Sequence, residues 1–279
     1  MSQATPVADL YWKELKEEAT KIAKEEPLLR VALEKSILHS TGFDQALARV
    51  CSYSLGNAIV GQDELYRMCM EAYLSCPDLL DAAACDMRAV IARDPASADS
   101  VVVPFLFLKG PRVLEIWRVS HWLWLQGRKP LARYVQCAIS DTFGVDIHPG
   151  ARIGRGIMLD HALGIVIGET AVVGDMVSML HGVTLGGTGK VSGDRHPKVG
   201  RGVMIGAGAK VLGNIRIGEG AKIGAGSVVL DEVPPHTTVA GVPARTVGRP
   251  IEYMPSLSMD QTLDHDYCPA MGQDLNKIL

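Results

Sequence analysis

The chain has 279 residues, a formal net charge of −3 and a pI near 6.2. This length leaves room for two domains, and the slight acidity argues against nucleic acid or an anionic membrane as the main partner. The N-terminus mixes acidic and basic residues where a signal peptide would have an apolar core, and no apolar run reaches the roughly 18 residues that span a bilayer.

The cysteines indicate a reducing, cytoplasmic environment. They form no CxxC pair, and five of the six lie in the part of the chain that is predicted to be helical. Free thiols explain this distribution better than a disulfide framework in a chain with so much apolar sequence. The six are Cys51, Cys69, Cys76, Cys85, Cys137 and Cys268.

Helical periodicity dominates residues 1–140. From Ala8 to about Lys24 apolar residues share one face and charges the other, which predicts a first helix. No phosphate loop or metal motif occurs in this region of the sequence, so we interpret it as a packing and assembly domain. Further helical or apolar stretches cover 28–39, 44–55, 62–74, 78–92, 102–126 and 130–142.

Aliphatic residues then recur every six positions from Ile147 to Val233, with a two-residue slip after Leu159 and a longer break after Leu185. A small or apolar residue follows four positions after most of them, as Ala151 follows Ile147. Neither an α-helix, with about 3.6 residues per turn, nor an alternating strand has this period. The thirteen first positions are Ile147, Ile153, Leu159, Ile167, Val173, Met179, Leu185, Val199, Ile205, Val211, Ile217, Ile223 and Val229.

A period of six suits a short strand followed by a tight bend, and three such units close one triangular coil. Coils of this kind stack about 4.8 Å apart through strand-type hydrogen bonds, with the aliphatic side chains inside. Thirteen units make a little over four coils. The predicted fold class is therefore α+β, with an N-terminal α-helical domain followed by a parallel β-helix.

A solenoid must cover its first and last coils, because open strand edges invite aggregation. We expect the helical domain, residues 1–140, to cover one end of the β-helix, residues 141–250. At the other end Pro234-Pro235 and the segment Thr237–Pro250 stop the repeat. Residues 251–279 have no periodicity and are predicted to form a flexible C-terminal tail.

The longer break in the repeat has the sequence GGTGKVSGDRHPK and lies between Leu185 and Val199. Insertions in repeat proteins usually form loops, often on the binding face. We therefore expect this loop, rich in glycine and charge, to contact substrate.

Histidines on the repeat are the main candidates for chemistry. His161 lies outside the inward positions, and His181 occupies the same place one coil later, while His148 and His196 lie nearby in the sequence. Asp146 precedes His161 by 15 residues and would lie around one corner of the coil beneath it, where a carboxylate could orient one ring nitrogen and leave the other as a base. Stacked histidines could instead bind zinc, and a single histidine on a solvent face is most often only a surface residue.

Several segments together resemble one family. They are AACDMRAVIARDPA, LKGPRVLEIWRVSHWLW, VDIHPGA, LDHALGIVIGETA, TLGGTGK and GDRHPK. The chain is similar over about nine-tenths of its length to the serine acetyltransferases, which are hexapeptide-repeat acyltransferases. The resemblance implies a left-handed β-helix and the direct transfer of acetyl from acetyl-CoA to the hydroxyl of L-serine, without a metal. This reaction makes O-acetyl-L-serine in cysteine biosynthesis.

The resemblance also implies how serine is held. Asp94 and Asp160 match the acids that bind its amino group, and Arg195 and His196 match the loop residues that bind its carboxylate. Arginine suits that task because its planar fork can donate two hydrogen bonds. L-cysteine, which differs from serine only by sulfur for oxygen, is then expected to inhibit at the same site.

His161 matches the general base of the family and Asp146 its dyad partner, whereas the resemblance assigns no role to His181. The coenzyme arm is expected in a groove between the β-helices of adjacent subunits. The residues expected along it are Gly187, Thr188, Ala207, Lys222 and Ala225.

Assembly and partners follow from the same resemblance. The β-helices are expected to form a trimer, and the helical domains to join two trimers in a hexamer. The tail is expected to bind O-acetylserine sulfhydrylase, although it ends in Ile278-Leu279 where the family usually ends in isoleucine.

Other functions are compatible with a β-helix, because a fold does not determine an activity. One is acetyl transfer to a different hydroxyl acceptor, such as a sugar or an antibiotic. A second is a metal-dependent hydratase of the kind found among the γ-class carbonic anhydrases, and a third is a scaffold that only binds partners through its tail.

Overall fold

The computed structural model describes residues 6–56, 60–189 and 192–263. Its helices begin and end within about two residues of the predicted stretches, but the stretch 102–126 is divided into two helices at Phe107-Leu108. A π-helical turn, Glu34–Leu38, continues α2, and a 3-10 turn, Pro95–Ser97, follows α5. The helices are α1 Val7–Glu25, α2 Arg30–Leu33, α3 Phe43–Leu55, α4 Gln62–Ser75, α5 Asp78–Arg93, α6 Val102–Leu106, α7 Lys109–Leu125, α8 Lys129–Phe143 and α9 Pro255–Ser258.

Apolar spacing explains why these segments are helices. In α1 the buried residues Tyr11, Leu15, Ala19 and Ala23 recur every four positions and form one face, against which other helices pack. The last long helix, α8, ends at Gly144, whose positive φ of 66° is the left-handed conformation that stops a helix. Its end places the chain directly at the first coil of the β-helix.

All thirteen predicted repeat positions lie in short strands, which confirms the parallel β-helix. The strands are β1 Asp146–Ile147, β2 Arg152–Ile153, β3 Met158–Leu159, β4 Val166–Ile167, β5 Val172–Val173, β6 Ser178–Met179, β7 Thr184–Gly186, β8 Lys198–Val199, β9 Met204–Ile205, β10 Lys210–Leu212, β11 Arg216–Ile217, β12 Lys222–Ile223, β13 Val228–Val229, β14 Thr238–Gly241 and β15 Ala244–Gly248. They form three sheets: sheet A is β1-β4-β7-β10-β13, sheet B is β2-β5-β8-β11, and sheet C is β3-β6-β9-β12-β14-β15.

Stacking of the buried aliphatic residues sets the register between coils. Ile147 pairs with Ile167, and Ile167 pairs with Leu185 one coil further on. The first step spans two more residues than the second, so the slip in the repeat is absorbed at the corner between β3 and β4. The longer break is absorbed between β7 and β8, where sheet A turns into sheet B. Both irregularities therefore lie at corners and leave the buried stack intact.

The helical domain covers the open edge of the first coil, as predicted. Trp117 donates its indole N–H to the carbonyl oxygen of His148 at 3.1 Å, and Asp86 accepts the backbone N–H of Ile157 at 2.7 Å. Arg118 donates to the carbonyl oxygen of Gly154 at 2.7 Å. Edge groups that would otherwise be buried and unpaired are satisfied in this way.

The last coil is closed by β14, which extends sheet C next to β12, and by β15, which pairs with β14 in the antiparallel sense. Beyond it, the first part of the predicted tail packs on the outside of sheet C. Met254 is only 4% exposed, and Ser178 donates its hydroxyl hydrogen bond to the carbonyl oxygen of Ser256 at 2.9 Å. Ordered packing thus reaches residue 263, past the predicted boundary at residue 250. Residues 264–279 lie outside the described residues.

A buried cluster of charges joins α5 and α7 to the β-helix. Arg118 lies between the carboxylates of Asp86 and Glu115, and its ion pair with Asp86 is buried on both sides. Burial raises the pKa of Asp86 and of Glu115, because both carboxyls are removed from water. One guanidinium therefore stabilises two buried acids and also binds the first coil through Gly154.

Arg118→Met is expected to lower the free energy of unfolding by about 3–5 kcal/mol, because the change leaves two buried acids without their cation. Thermal unfolding at a fixed protein concentration measures the effect. Arg67→Met is the matched control, since the Arg67–Glu64 pair is exposed and such pairs contribute about 0–1 kcal/mol. Equal, small shifts in Tm for the two variants would contradict this role of Arg118.

Candidate active site

A cavity of about 670 Å³ lies where the helical domain meets the β-helix. Its polar lining includes Asp94, Asp160 and His161, and its apolar wall includes Phe107 and Leu163. The structure therefore brings together three of the residues that the sequence analysis singled out. They come from the end of α5 and from the corner that follows β3.

The close approach of α7 to β3 forms one wall of this cavity. Gly110 lies in the first turn of α7, and a Cβ added there would overlap the backbone carbonyl of Leu159. Glycine is therefore required for the helix to reach the strand that leads into Asp160. Asp94, which also lines the cavity, accepts hydrogen bonds from the backbone N–H of Ala96 and the hydroxyl of Ser97, both at 2.9 Å, and these bonds hold its carboxylate at the start of the 3-10 turn.

His161 lies in the two-residue slip of the repeat. His161 and Ala162 have φ of 56° and 58°, in the left-handed region that residues other than glycine seldom adopt. Such backbone strain is often found at functional sites. The side chain of His161 is 75% exposed, and its Nε2 lies 3.7 Å from Oδ1 of Asp160.

Asp146 lies on β1 in sheet A, and His161 lies 15 residues later, at the corner that closes the same coil after β3. Its Oδ1 accepts a hydrogen bond of 2.6 Å from the side-chain amide of Gln136, on α8. Within the described ranges no hydrogen bond joins Asp146 to His161, so the dyad stays a prediction. Gln136 was not a sequence candidate, because its partner is ten residues away and on another element.

Arg195 and His196 lie at a different corner, where sheet A turns into sheet B. Arg195 donates to Oε2 of Glu169 at 3.0 Å, and this pairing lowers the pKa of the Glu169 carboxyl. His196 is buried and accepts the backbone N–H of Thr170 at Nδ1, at 3.1 Å. Burial lowers the pKa of His196, and Arg195 lowers it further. Because Nδ1 accepts a backbone N–H, the proton of a neutral ring lies on Nε2.

The two candidate groups for serine thus occupy separate corners within one chain. Asp160 and His161 follow β3 at the corner between sheets C and A, whereas Arg195 and His196 precede β8 at the corner between sheets A and B. The cavity beside His161 is lined by the first pair and not by the second.

The five residues expected to contact the coenzyme also lie at separate places on the β-helix. Ala207 and Ala225 follow β9 and β12 at the corner between sheets C and A, on the coils above His161. Gly187 and Thr188 follow β7 at the corner between sheets A and B. Lys222 lies on β12 in sheet C; it is buried, and its ammonium donates to the carbonyl oxygen of Thr262 at 2.6 Å. Burial lowers the pKa of Lys222.

His148 and His181 differ in their surroundings. His148 is buried at the domain junction, where its Nδ1 accepts the N–H of Gly150 at 2.9 Å. His181 is exposed and its ring contacts that of His161.

No group of three or more potential metal ligands occurs in the described part of the chain. Over the same ranges, none of the helices combines the length and apolarity that crossing a membrane requires.

The wall residue Phe107 was missed by the sequence analysis. It is 52% exposed and faces the cavity from the turn before α7. The only signal for it in the sequence is an aromatic residue beside the segment LKGPRV, and this gives no indication of which strand lies opposite.

Comparison with known proteins places the chain in a family. Residues 11–115 match the family described as serine acetyltransferase, N-terminal, and residues 196–231 match the bacterial transferase hexapeptide family of six repeats. A serine acetyltransferase from Salmonella typhimurium is 53% identical over 253 residues, which cover 91% of this chain and 92% of that protein.

Solved structures agree with this assignment. A serine acetyltransferase complexed with cysteine is 50% identical, has a TM-score of 0.89, and is matched over 91% of this chain and 99% of its own. A complex with CoA is 51% identical, has a TM-score of 0.82, and is matched over 85% and 98%. Soybean serine acetyltransferase complexed with serine is 50% identical, has a TM-score of 0.84, and is matched over 88% and 100%. The chain belongs to the serine acetyltransferase family, and it is an acyltransferase of that type.

Proposed function

We propose that the chain transfers the acetyl group of acetyl-CoA to the hydroxyl of L-serine, with His161 as general base. The observation that carries the proposal is the cavity in which His161 lies with two acids, Asp94 and Asp160. The complexes of its relatives with serine, cysteine and CoA support this choice of substrates.

The charges suit a zwitterionic amino acid. Asp94 and Asp160 attract the ammonium group of serine, and this orients the hydroxyl toward the exposed ring of His161. The carboxylate requires donors, which Arg195 and the Nε2–H of His196 supply. Opposite charges at the two ends of the ligand give one orientation, which is what a directional transfer needs.

The reaction proceeds in one transfer without an acyl-enzyme. His161 removes the hydroxyl proton as the serine oxygen attacks the thioester carbonyl, forming the new C–O bond. The C–S bond then breaks, and the imidazolium returns the proton to the leaving thiolate. Asp146 is proposed to orient the imidazole, and its hydrogen bond to Gln136 would hold its carboxylate in place until substrate binds.

The active site is proposed to be shared between subunits of a trimer. Within one chain the base and the carboxylate donors lie at different corners of the triangular coil, so they meet when one corner of a β-helix faces a different corner of its neighbour. The groove between those corners would accept the coenzyme, with Ala207 and Ala225 on one side and Gly187 and Thr188 on the other. Lys222 would reach it once the segment that contains Thr262 moves away.

Two such trimers are proposed to form a hexamer through their helical domains. Exposed apolar side chains on this domain, Leu28 and Val31 among them, suit an interface. The protein is proposed to act in the cytoplasm, where its described thiols remain free.

The C-terminal tail is proposed to bind O-acetylserine sulfhydrylase. Its residues Ile278 and Leu279 carry apolar side chains that a groove on a partner protein can accept. They lie outside the described residues, so the proposal stands on the sequence alone.

His161→Ala is expected to lower kcat by roughly 10²–10⁴-fold, the range of a positioned general base. Binding of acetyl-CoA, measured by calorimetry, should be retained, because the imidazole does not hold the coenzyme. Asp146→Asn should lower kcat by a smaller factor than His161→Ala, since Asp146 orients the ring without exchanging the proton. His39→Ala, an exposed histidine on the helical domain, is the control. Near-normal turnover of His161→Ala would show that the base has been wrongly assigned.

Arg195→Gln is expected to raise the KM for serine and the Ki for L-cysteine together, by roughly 10- to 100-fold, because both ligands lose a charge-assisted hydrogen bond to their carboxylate. Steady-state kinetics at several cysteine concentrations give both constants. Glu169→Gln is the matched control, since it removes the partner of Arg195 and keeps the guanidinium. Loss of cysteine inhibition with an unchanged serine KM would exclude a shared site.

Co-expression of His161→Ala and Arg195→Gln chains carrying different tags tests the shared site. Mixed trimers isolated through both tags should regain activity, because some interfaces then combine an intact His161 with an intact Arg195. Trimers of either variant alone serve as controls. Mixed trimers whose kcat/KM for serine is no higher than the average of the two parents would place the whole site within one chain.

A further inference from the structure

Arg93 is a buried cation to which the proposed reaction gives no role. It is the last residue of α5, directly before Asp94, and only 6% of it is exposed. Its guanidinium lies against sheet C, where Nη1 donates to Oγ of Ser178 at 3.1 Å and Nη2 donates to Sδ of Met176 at 3.6 Å. Both of these partners are neutral, and among the described residues its Nε–H has no partner.

Packing alone does not explain a guanidinium at this place. Burial lowers the pKa of Arg93 to about 10, because the charged form loses its hydration. A buried charge without an acid in contact is unfavourable, and an apolar side chain of similar length would fill the same space without that loss. What an arginine adds is a planar fork that can bind two acceptors in fixed directions. Arg93 is therefore suited to fixing one element against another.

Ser178, which accepts from Arg93, is itself held in one orientation. It lies on β6, and because its hydroxyl donates to the carbonyl oxygen of Ser256 at 2.9 Å, its Oγ is left to accept from Arg93. Ser178 is also paired in register with Met158 on β3. Arg93 is thus bonded to sheet C beside the strand that leads into Asp160.

Both acids of the cavity are attached to β6. Asp160 is attached directly, because its backbone N–H donates to the carbonyl oxygen of Met179 at 2.8 Å. Asp94 is attached through its neighbour Arg93, whose side chain binds Ser178. Strand β6 is therefore a common support for the two carboxylates that line the cavity. An ammonium group bound by both acids needs their separation to be fixed, because charge-assisted hydrogen bonds are short.

We propose that Arg93 is a positioning residue for Asp94: by holding the end of α5 on β6, it sets the carboxylate of Asp94 at the distance from Asp160 that suits the ammonium group of serine. The inference rests on the proposed function, because it requires these two acids to bind that group. Hydrogen bonds from Ala96 and Ser97 fix the orientation of the Asp94 carboxylate within its turn, whereas Arg93 fixes the place of that turn on the β-helix.

Arg93→Met is expected to raise the KM for L-serine roughly 10-fold, the contribution of one well-placed charge-assisted hydrogen bond. The KM for acetyl-CoA should stay unchanged, because Arg93 contacts none of the proposed coenzyme residues. Arg93→Lys should recover part of the loss, since its ammonium can still donate to Ser178. Ser178→Ala removes the acceptor, should also raise the serine KM, and tests the contact if Arg93→Met does not fold. Arg88→Met is the matched control, because Arg88 lies on the same helix and pairs with Glu14 on α1.

A double-mutant cycle with Asp94→Asn separates positioning from a general loss of structure. If Arg93 acts through Asp94, Asp94→Asn alone raises the serine KM, and adding Arg93→Met raises it no further. A further rise as large as in the single variant, an equal rise in the KM for acetyl-CoA, or an unchanged or lower serine KM in Arg93→Met overturns the inference. An unchanged serine KM in Asp94→Asn overturns instead the proposed ammonium site, on which the inference rests.

Discussion

The hydrogen-bonded stacking of one coil on the next determines where every candidate side chain of the β-helix lies. Each strand is only two to five residues long, so a strand alone has little stability and depends on its neighbours above and below. Ile147, Ile167, Leu185, Val211 and Val229 are stacked in register in sheet A and are all buried. A slip of one residue would turn this column outward, so the register is strongly determined. The register therefore also determines the position of each corner between the strands.

The proposed chemistry is concentrated where the chain departs from its repeat. The two-residue slip contains His161 in a left-handed conformation, and the longer break leads into Arg195 and His196. An irregular corner can present a polar side chain without disturbing the buried stack. The repeat therefore provides rigidity, and its two interruptions carry the candidate residues His161, Arg195 and His196.

The sequence predicted the β-helix well because few folds can bury an aliphatic side chain at every sixth position. It predicted the outer bounds of the helical stretches within about two residues, since their apolar faces are local signals, but it did not predict the break between α6 and α7. The cavity could not be predicted in the same way. Its walls depend on the approach of α7 to Leu159, which only Gly110 permits, and on the turn that holds Asp94. These contacts join residues far apart in the chain.

The C-terminal segment illustrates the same limit of local patterns. Residues 251–263 have no periodicity, yet Met254 is buried against Gly202 and the carbonyl oxygen of Thr262 accepts from Lys222. This segment packs without regular structure because sheet C already provides a surface for it. The hydrogen bond between Gln136 and Asp146 could not be predicted for a similar reason, because the two residues lie on separate elements, α8 and β1, that meet only in the fold.

Thiol release from acetyl-CoA, followed with and without L-serine, tests the central claim most directly. Direct transfer to serine predicts release only when serine is present, with one O-acetylserine formed for each thiol. Release at the same rate without serine, or no release with it, would contradict a serine acetyltransferase that works by direct attack.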